Sequence, residues 1–189
     1  MSEPNENLPA PAMGSTNANP PGIKFWDLVK EDARTQELGI RSQGFWALYT
    51  HRFGNWRMGL PKGFRILGTL FYRFMAKWTQ VTCGIDLPYT VKVGRRVRLE
   101  HFGGMILIAE SIGDDVTIRQ NTTFGIKKVD GEHLRPKIGN LVDIGVGAVI
   151  IGGVTVGEGA TIGANAVVIK DVPVGATAVG VPARILVRA

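Results

Sequence analysis

The chain of 189 residues has one cysteine, Cys83. A lone thiol cannot close a disulfide within the chain, so the composition suits a reducing cytoplasm, and Cys83 reads as a small buried apolar residue. No run reaches the ~18 apolar residues that a bilayer span needs. The first 22 residues have neither a basic start nor an apolar core, so they are not read as a secretory leader. Acidic side chains are outnumbered, 16 against 22 Lys and Arg, for a net charge of +6. The imbalance is local: residues 24–80 hold ten Lys and Arg against four Asp and Glu, and the rest is close to balance. Such a surface suits nucleic acid, anionic lipid or an anionic substrate. No nucleic-acid motif accompanies it, and nucleic acid is set aside. Histidine is scarce too, with only His51, His101 and His133.

What is present divides the chain in three. Residues 1–22 are rich in Pro, Asn, Ser and Ala and poor in large apolar residues, which predicts a disordered tail. Residues 23–81 read as a small α-helical region. Lys24 to Gln36 and Gln43 to Trp56 are helical stretches, Pro61 and Gly63 interrupt, and Phe64 to Trp78 is a third. The second stretch mixes Phe45, Trp46, Tyr49 and Phe53 with basic residues. It suits peripheral contact with a membrane surface, or simple packing on its neighbours, and the basic N-terminal helices together are candidates for such membrane contact.

Residues 82–189 change period. Ile138, Ile144, Ile150, Val156, Ile162 and Val168 fall six apart. Four residues after each comes Val142, Ala148, Val154, Ala160, Ala166 or Val172. The same beat runs through Leu87, Val93 and Leu99, and returns one residue out of phase at Ile106, Ile112, Ile118 and Phe124. An interruption, 125–137, separates the two series. A period of six fits neither a helix nor an alternating strand. It fits a coil of three short strands joined by tight turns, in which each aliphatic stacks on its equivalent one coil away. Thirteen hexads predict a mainly β solenoid of a little over four coils.

These hexads and the ending Val179 to Ile185 resemble the hexapeptide-repeat acyltransferases, and most closely their serine acetyltransferase branch. The resemblance implies a left-handed parallel β-helix, acetyl-CoA as co-substrate, no metal, and a homotrimer with the co-substrate between subunits. It also implies roles. The family's Leu-Asp-His-x-x-Gly stretch corresponds to Leu99 to Gly104, which makes His101 the general base. The orienting carboxylate, fifteen residues upstream, corresponds to Asp86 in the run Gly84 to Pro88. Glu100 replaces the family's acceptor-binding aspartate. Where the family has His-Pro-Lys-Ile, this chain has Arg135 to Ile138, with His133 two residues away, so Arg135 and His133 are the loop's candidates for the acceptor. Gly125, Gly145 and Ala164 correspond to positions along the pantetheine arm, and Pro182, Ala183 and Arg184 to the adenine end, with Lys170 as a further phosphate partner. Backbone N–H groups at the turns would hold the oxyanion.

The acceptor is less constrained. No Arg-Asp-Pro-Ala-type motif stands in the N-terminal region, which reads Gln36 to Ile40 instead. The runs Phe45 to Leu48 and His51 to Gly54 resemble acetyltransferases of exopolysaccharide gene clusters. This ranks a sugar hydroxyl first and serine second. A non-catalytic β-helix scaffold is a third reading. Zinc held by three imidazoles, as in some β-helices, is disfavoured because His51 lies outside the repeats.

Overall fold

A computed structural model describes residues 14–129 and 132–186. Three helices come first: α1 (Phe25–Thr35), α2 (Gln43–Trp56) and α3 (Lys62–Cys83). Each start and stop has a local cause. The Ser42 hydroxyl accepts the Gly44 N–H at 3.1 Å and caps α2. Pro61 precedes α3, and Gly84, at φ 62°, ends it in the left-handed conformation. α3 outruns the expected Phe64 to Trp78 because nothing between Trp78 and Gly84 breaks a helix. Disorder predicted for residues 1–22 falls on 1–13, outside the described residues, and on 14–22. There Ala18 N–H donates to Asn55 and the Asn19 amide to the Arg52 carbonyl, so this stretch lies against α2.

Behind the helices the chain winds into a three-sided parallel β-solenoid. The first face stacks Ile85–Asp86, Met105–Leu107, Thr123–Gly125, Val149–Ile151 and Val167–Val168. The second stacks Lys92–Val93, Ser111–Ile112, Lys137–Ile138 and Thr155–Val156. The third stacks Arg98–Glu100, Thr117–Arg119, Asp143–Ile144, Thr161–Ile162 and Thr177–Val179, and Arg184–Leu186 folds back antiparallel on the last of these. The stack makes about five coils, more than the hexads alone predict, because Val172 bridges Val156 and Thr177–Val179 pairs with Thr161–Ile162.

The six-residue aliphatics from Ile138 to Val168 and their small partners from Val142 to Val172 are all buried. Each larger one contributes roughly 1.5–3 kcal/mol by leaving water. One expectation fails. Ile106 is 44% exposed, and its neighbours Met105 and Leu107 point inward instead. The apparent phase slip is therefore a corner of unequal length. From Leu99 to Leu107 the chain takes two residues more than a hexad, and from Leu107 to Ile112 one fewer. His101 sits in the enlarged corner. The 125–137 interruption leaves the corner between first and second faces as a hairpin of Lys127–Val129 and Glu132–Leu134.

A solenoid ends in unpaired backbone, and here α1 and α2 supply the partners. Arg52 donates to Val93 O at 2.7 Å and Gly94 O at 2.6 Å. Asn55 donates to Tyr89 O, and His51 Nε2 lies 2.9 Å from Val91 O. Gln36 donates to Val97 O and accepts from Leu99 N–H. All four side chains are buried. Unpaired, each capped group would cost about 1–3 kcal/mol. α2 is thus an internal cap, and the expected contact of its aromatic, basic face with a membrane is not available to it.

Candidate active site

The enlarged corner decides where His101 goes. Gly103 N–H donates to Cys83 O at 3.1 Å, and Met105 N–H to Gly84 O at 3.0 Å. Ile85 then pairs with Met105 and Asp86 with Ile106. The corner carrying His101 therefore stacks on the chain segment that enters Asp86. Gly84 makes this possible: a Cβ there would lie 2.9 Å from Gly103 Cα. His101 itself has φ 62°, as do comparable corner residues such as Asn121 and Asn165 at 61° and 57°. That conformation belongs to the repeat's corners, where polar side chains tolerate it best. The His101 side chain is exposed and borders a small pocket with Glu37, Leu38, Arg98 and Phe102.

Asp86 is half-buried on the first face. Its Oδ1 accepts a hydrogen bond from Gln80 Nε2 of α3 at 3.0 Å. No hydrogen bond joins Asp86 to His101 among the described residues. Sequence reasoning missed Gln80, whose reach follows only from the angle at which α3 meets the first strand.

Glu100 does not stand alone. Its carboxylate lies 3.1 Å from Arg119 Nε and 3.6 Å from Arg98 Nη1. Arg119 also pairs with Asp143. The charge expected to meet an acceptor is therefore shared with two guanidinium groups. No residue-level signal marked Arg119; only the one-coil stacking of Arg119 on Glu100 brings them together.

The remaining expected residues divide between two edges of the prism. His101, Gly145 and Ala164 lie at third-to-first corners of one edge, with the 120–122 corner between the first two. Pro182 and Ala183 continue that edge, since Ala183 N–H donates to Val167 O at 2.8 Å. Arg184 follows in the returning strand. From His101 to Ala183 the edge rises through about four strand spacings, roughly 19 Å. Gly125, Lys170, His133 and Arg135 instead lie at the first-to-second edge. His133 is exposed on the hairpin opposite Lys128, and Arg135 is half-buried at its foot. One chain does not bring the hairpin beside His101. Gly145 has a packing reason of its own: a Cβ there would meet Ala164 N at 2.6 Å, so the next coil already occupies the space a side chain would need.

His51 is part of the cap. Burial, with the Arg52 cation beside it, pushes its imidazole from the usual 6.5 down to about 3. Among the described residues no group of three His, Cys, Asp or Glu side chains is placed to hold a metal ion, and no helix is long and apolar enough to cross a membrane.

A prism of hexad coils with an exposed corner histidine and a folded-back C-terminal strand is the architecture that the resemblance to the hexapeptide-repeat acyltransferases implied. The comparisons go further. Serine acetyltransferase of Escherichia coli strain K12 is 40% identical over 146 residues, covering 76% of this chain and 51% of that protein. Serine acetyltransferase of Bacillus licheniformis is 32% identical over 177 residues, covering 87% and 79%. The solved structure of a serine acetyltransferase in complex with CoA superposes with a TM-score of 0.67 at 29% identity, covering 86% and 69%. No family model matches the chain. The chain belongs to the hexapeptide-repeat acetyltransferases of the serine acetyltransferase branch, and its solenoid is the expected left-handed parallel β-helix. It spans about half the length of the first curated relatives it matches.

Proposed function

We propose that the chain is an acetyl-CoA-dependent O-acetyltransferase with serine as its acceptor. The observation that carries this is the enlarged corner, which presents His101 to solvent directly over the segment leading into Asp86, in a chain of this branch. The relatives are named for serine, so serine now ranks above the sugar hydroxyl that the N-terminal runs had put first.

In this reading His101 takes the proton of the acceptor hydroxyl as that oxygen attacks the thioester carbonyl. The tetrahedral intermediate collapses with cleavage of the carbon–sulfur bond, and His101 returns the proton to the CoA thiolate. Asp86, steadied by Gln80, stabilises the imidazolium formed in between. The co-substrate lies along the edge from His101 to Ala183. A homotrimer supports this arrangement: the hairpin carrying His133 and Arg135 occupies a different edge from His101, and only a neighbouring subunit can bring those edges together.

One observation favours the sugar as a second reading. Glu100 is already neutralised by Arg98 and Arg119. A serine ammonium would have to compete with both, whereas a neutral hydroxyl acceptor would not.

Thiol release from acetyl-CoA tests both readings. With serine present, the wild-type protein should release CoA, and His101→Ala should lower turnover by about 10²–10⁴-fold while CoA binding persists. Release with sugars and none with serine would overturn the acceptor. Undiminished turnover in His101→Ala would remove the base.

A further inference from the structure

α3 packs one side against α2 and the solenoid, through Tyr72, Thr79 and Cys83. Its opposite side is apolar and bare. Phe64, Leu67, Leu70, Phe74 and Val81 are each at least 60% exposed. Leu67, Leu70, Phe74 and Val81 recur at helical spacing and form one stripe along about 21 Å of helix, edged by Phe71 and Trp78, which also touch Phe53 and Trp46 of α2. Lys62, Arg73 and Lys77 flank the stripe on one side. α3 contains no acidic residue at all, and no carboxylate pairs with Lys62, Arg65, Arg73 or Lys77 among the described residues. A shallow groove of about 330 Å³ runs between Ile66 and Leu70, rimmed by Lys62, Arg65 and Arg73.

We propose that α3 is an interfacial helix that seats this face on an anionic lipid surface. The stripe suits the acyl boundary, the flanking cations suit headgroup phosphates, and the groove accepts an alkyl chain beside its charged rim. Charge decides against a second copy of the chain. Two α3 faces pressed together would crowd eight cations with no acid from either helix. Nucleic acid would satisfy the cations and leave the apolar stripe against phosphate. Among the basic N-terminal helices it is α3 that offers this face, because α2 is consumed in capping the solenoid.

Co-sedimentation of the full chain with phosphatidylcholine vesicles, with and without phosphatidylglycerol, tests this. Binding should require phosphatidylglycerol and weaken with salt. Arg73→Gln with Lys77→Gln should weaken it by about 25-fold, roughly fivefold per cation. Leu70→Ser with Phe74→Ser should weaken it by more than about tenfold, with helix content unchanged, since both side chains already face solvent. Absent vesicle binding, or equal binding to vesicles of phosphatidylcholine alone, overturns the proposal. So does a drop in particle mass of the Leu70→Ser, Phe74→Ser variant in free solution, which would show that another copy covers the face.

Discussion

Acidification should loosen the cap on the solenoid through His51. Its Nε2 lies 2.9 Å from Val91 O, so the proton sits on Nε2 and donates to that carbonyl. Nδ1 is buried without a partner among the described residues. A second proton on Nδ1 would add an unpaired cation beside Arg52 in a site closed to water. The folded chain therefore refuses a proton until about pH 3, while the unfolded chain accepts one near 6.5. Between those values the unfolded state binds more protons, so stability rises with pH and is lost as pH falls. The slope is about 1.4 kcal/mol per pH unit, or about 2 kcal/mol lost between pH 7.5 and 5. Glu31 and Asp115 are held below the usual carboxylate range by Arg95 and Arg96. Their loss has the same sign but sets in at lower pH, outside this window. Urea unfolding at fixed protein concentration, from pH 7.5 to 5, measures the slope. His51→Gln keeps an N–H for Val91 O and cannot titrate, so its slope should nearly vanish. Equal slopes for the two proteins, or a His51 imidazole titrating near 6.5 by NMR, would refute the reasoning.

Other parts of the frame respond differently. Arg52→Met leaves Asp32 buried without its 3.0 Å ion-pair partner and strips Val93 O and Gly94 O. Burial already pushes the Asp32 carboxyl up against the pull of Arg52. The variant should lose about 3–5 kcal/mol in urea unfolding; a loss under about 1 kcal/mol would deny the cap its role. Gly84→Ala puts a Cβ within 2.9 Å of Gly103 Cα at φ 62°. It should cost about 1–3 kcal/mol and lower turnover by displacing the corner that carries His101. Wild-type turnover and melting would break that link.

The hexad spacing and the aliphatic positions determined by themselves that the chain winds into a solenoid, because a six-residue period repeats locally and each coil reads it alike. The fifteen-residue interval from Asp86 to His101, with the C-terminal ending, likewise carried the resemblance to the branch. Tertiary structure decided what no period encodes. The phase slip at Ile106 looks the same in sequence whether a strand shifts or a corner grows, and only the pairing of Ile85 with Met105 selects the corner. The run His51 to Asn55 reads as an aromatic, basic helix, yet its polar side chains satisfy carbonyls some forty residues later in the chain. Gln80 beside Asp86 and Arg119 on Glu100 follow from a helix–strand angle and a one-coil stack. Repetition travels along the chain and can be counted there, whereas capping and charge sharing join positions that become neighbours only after the coils are wound.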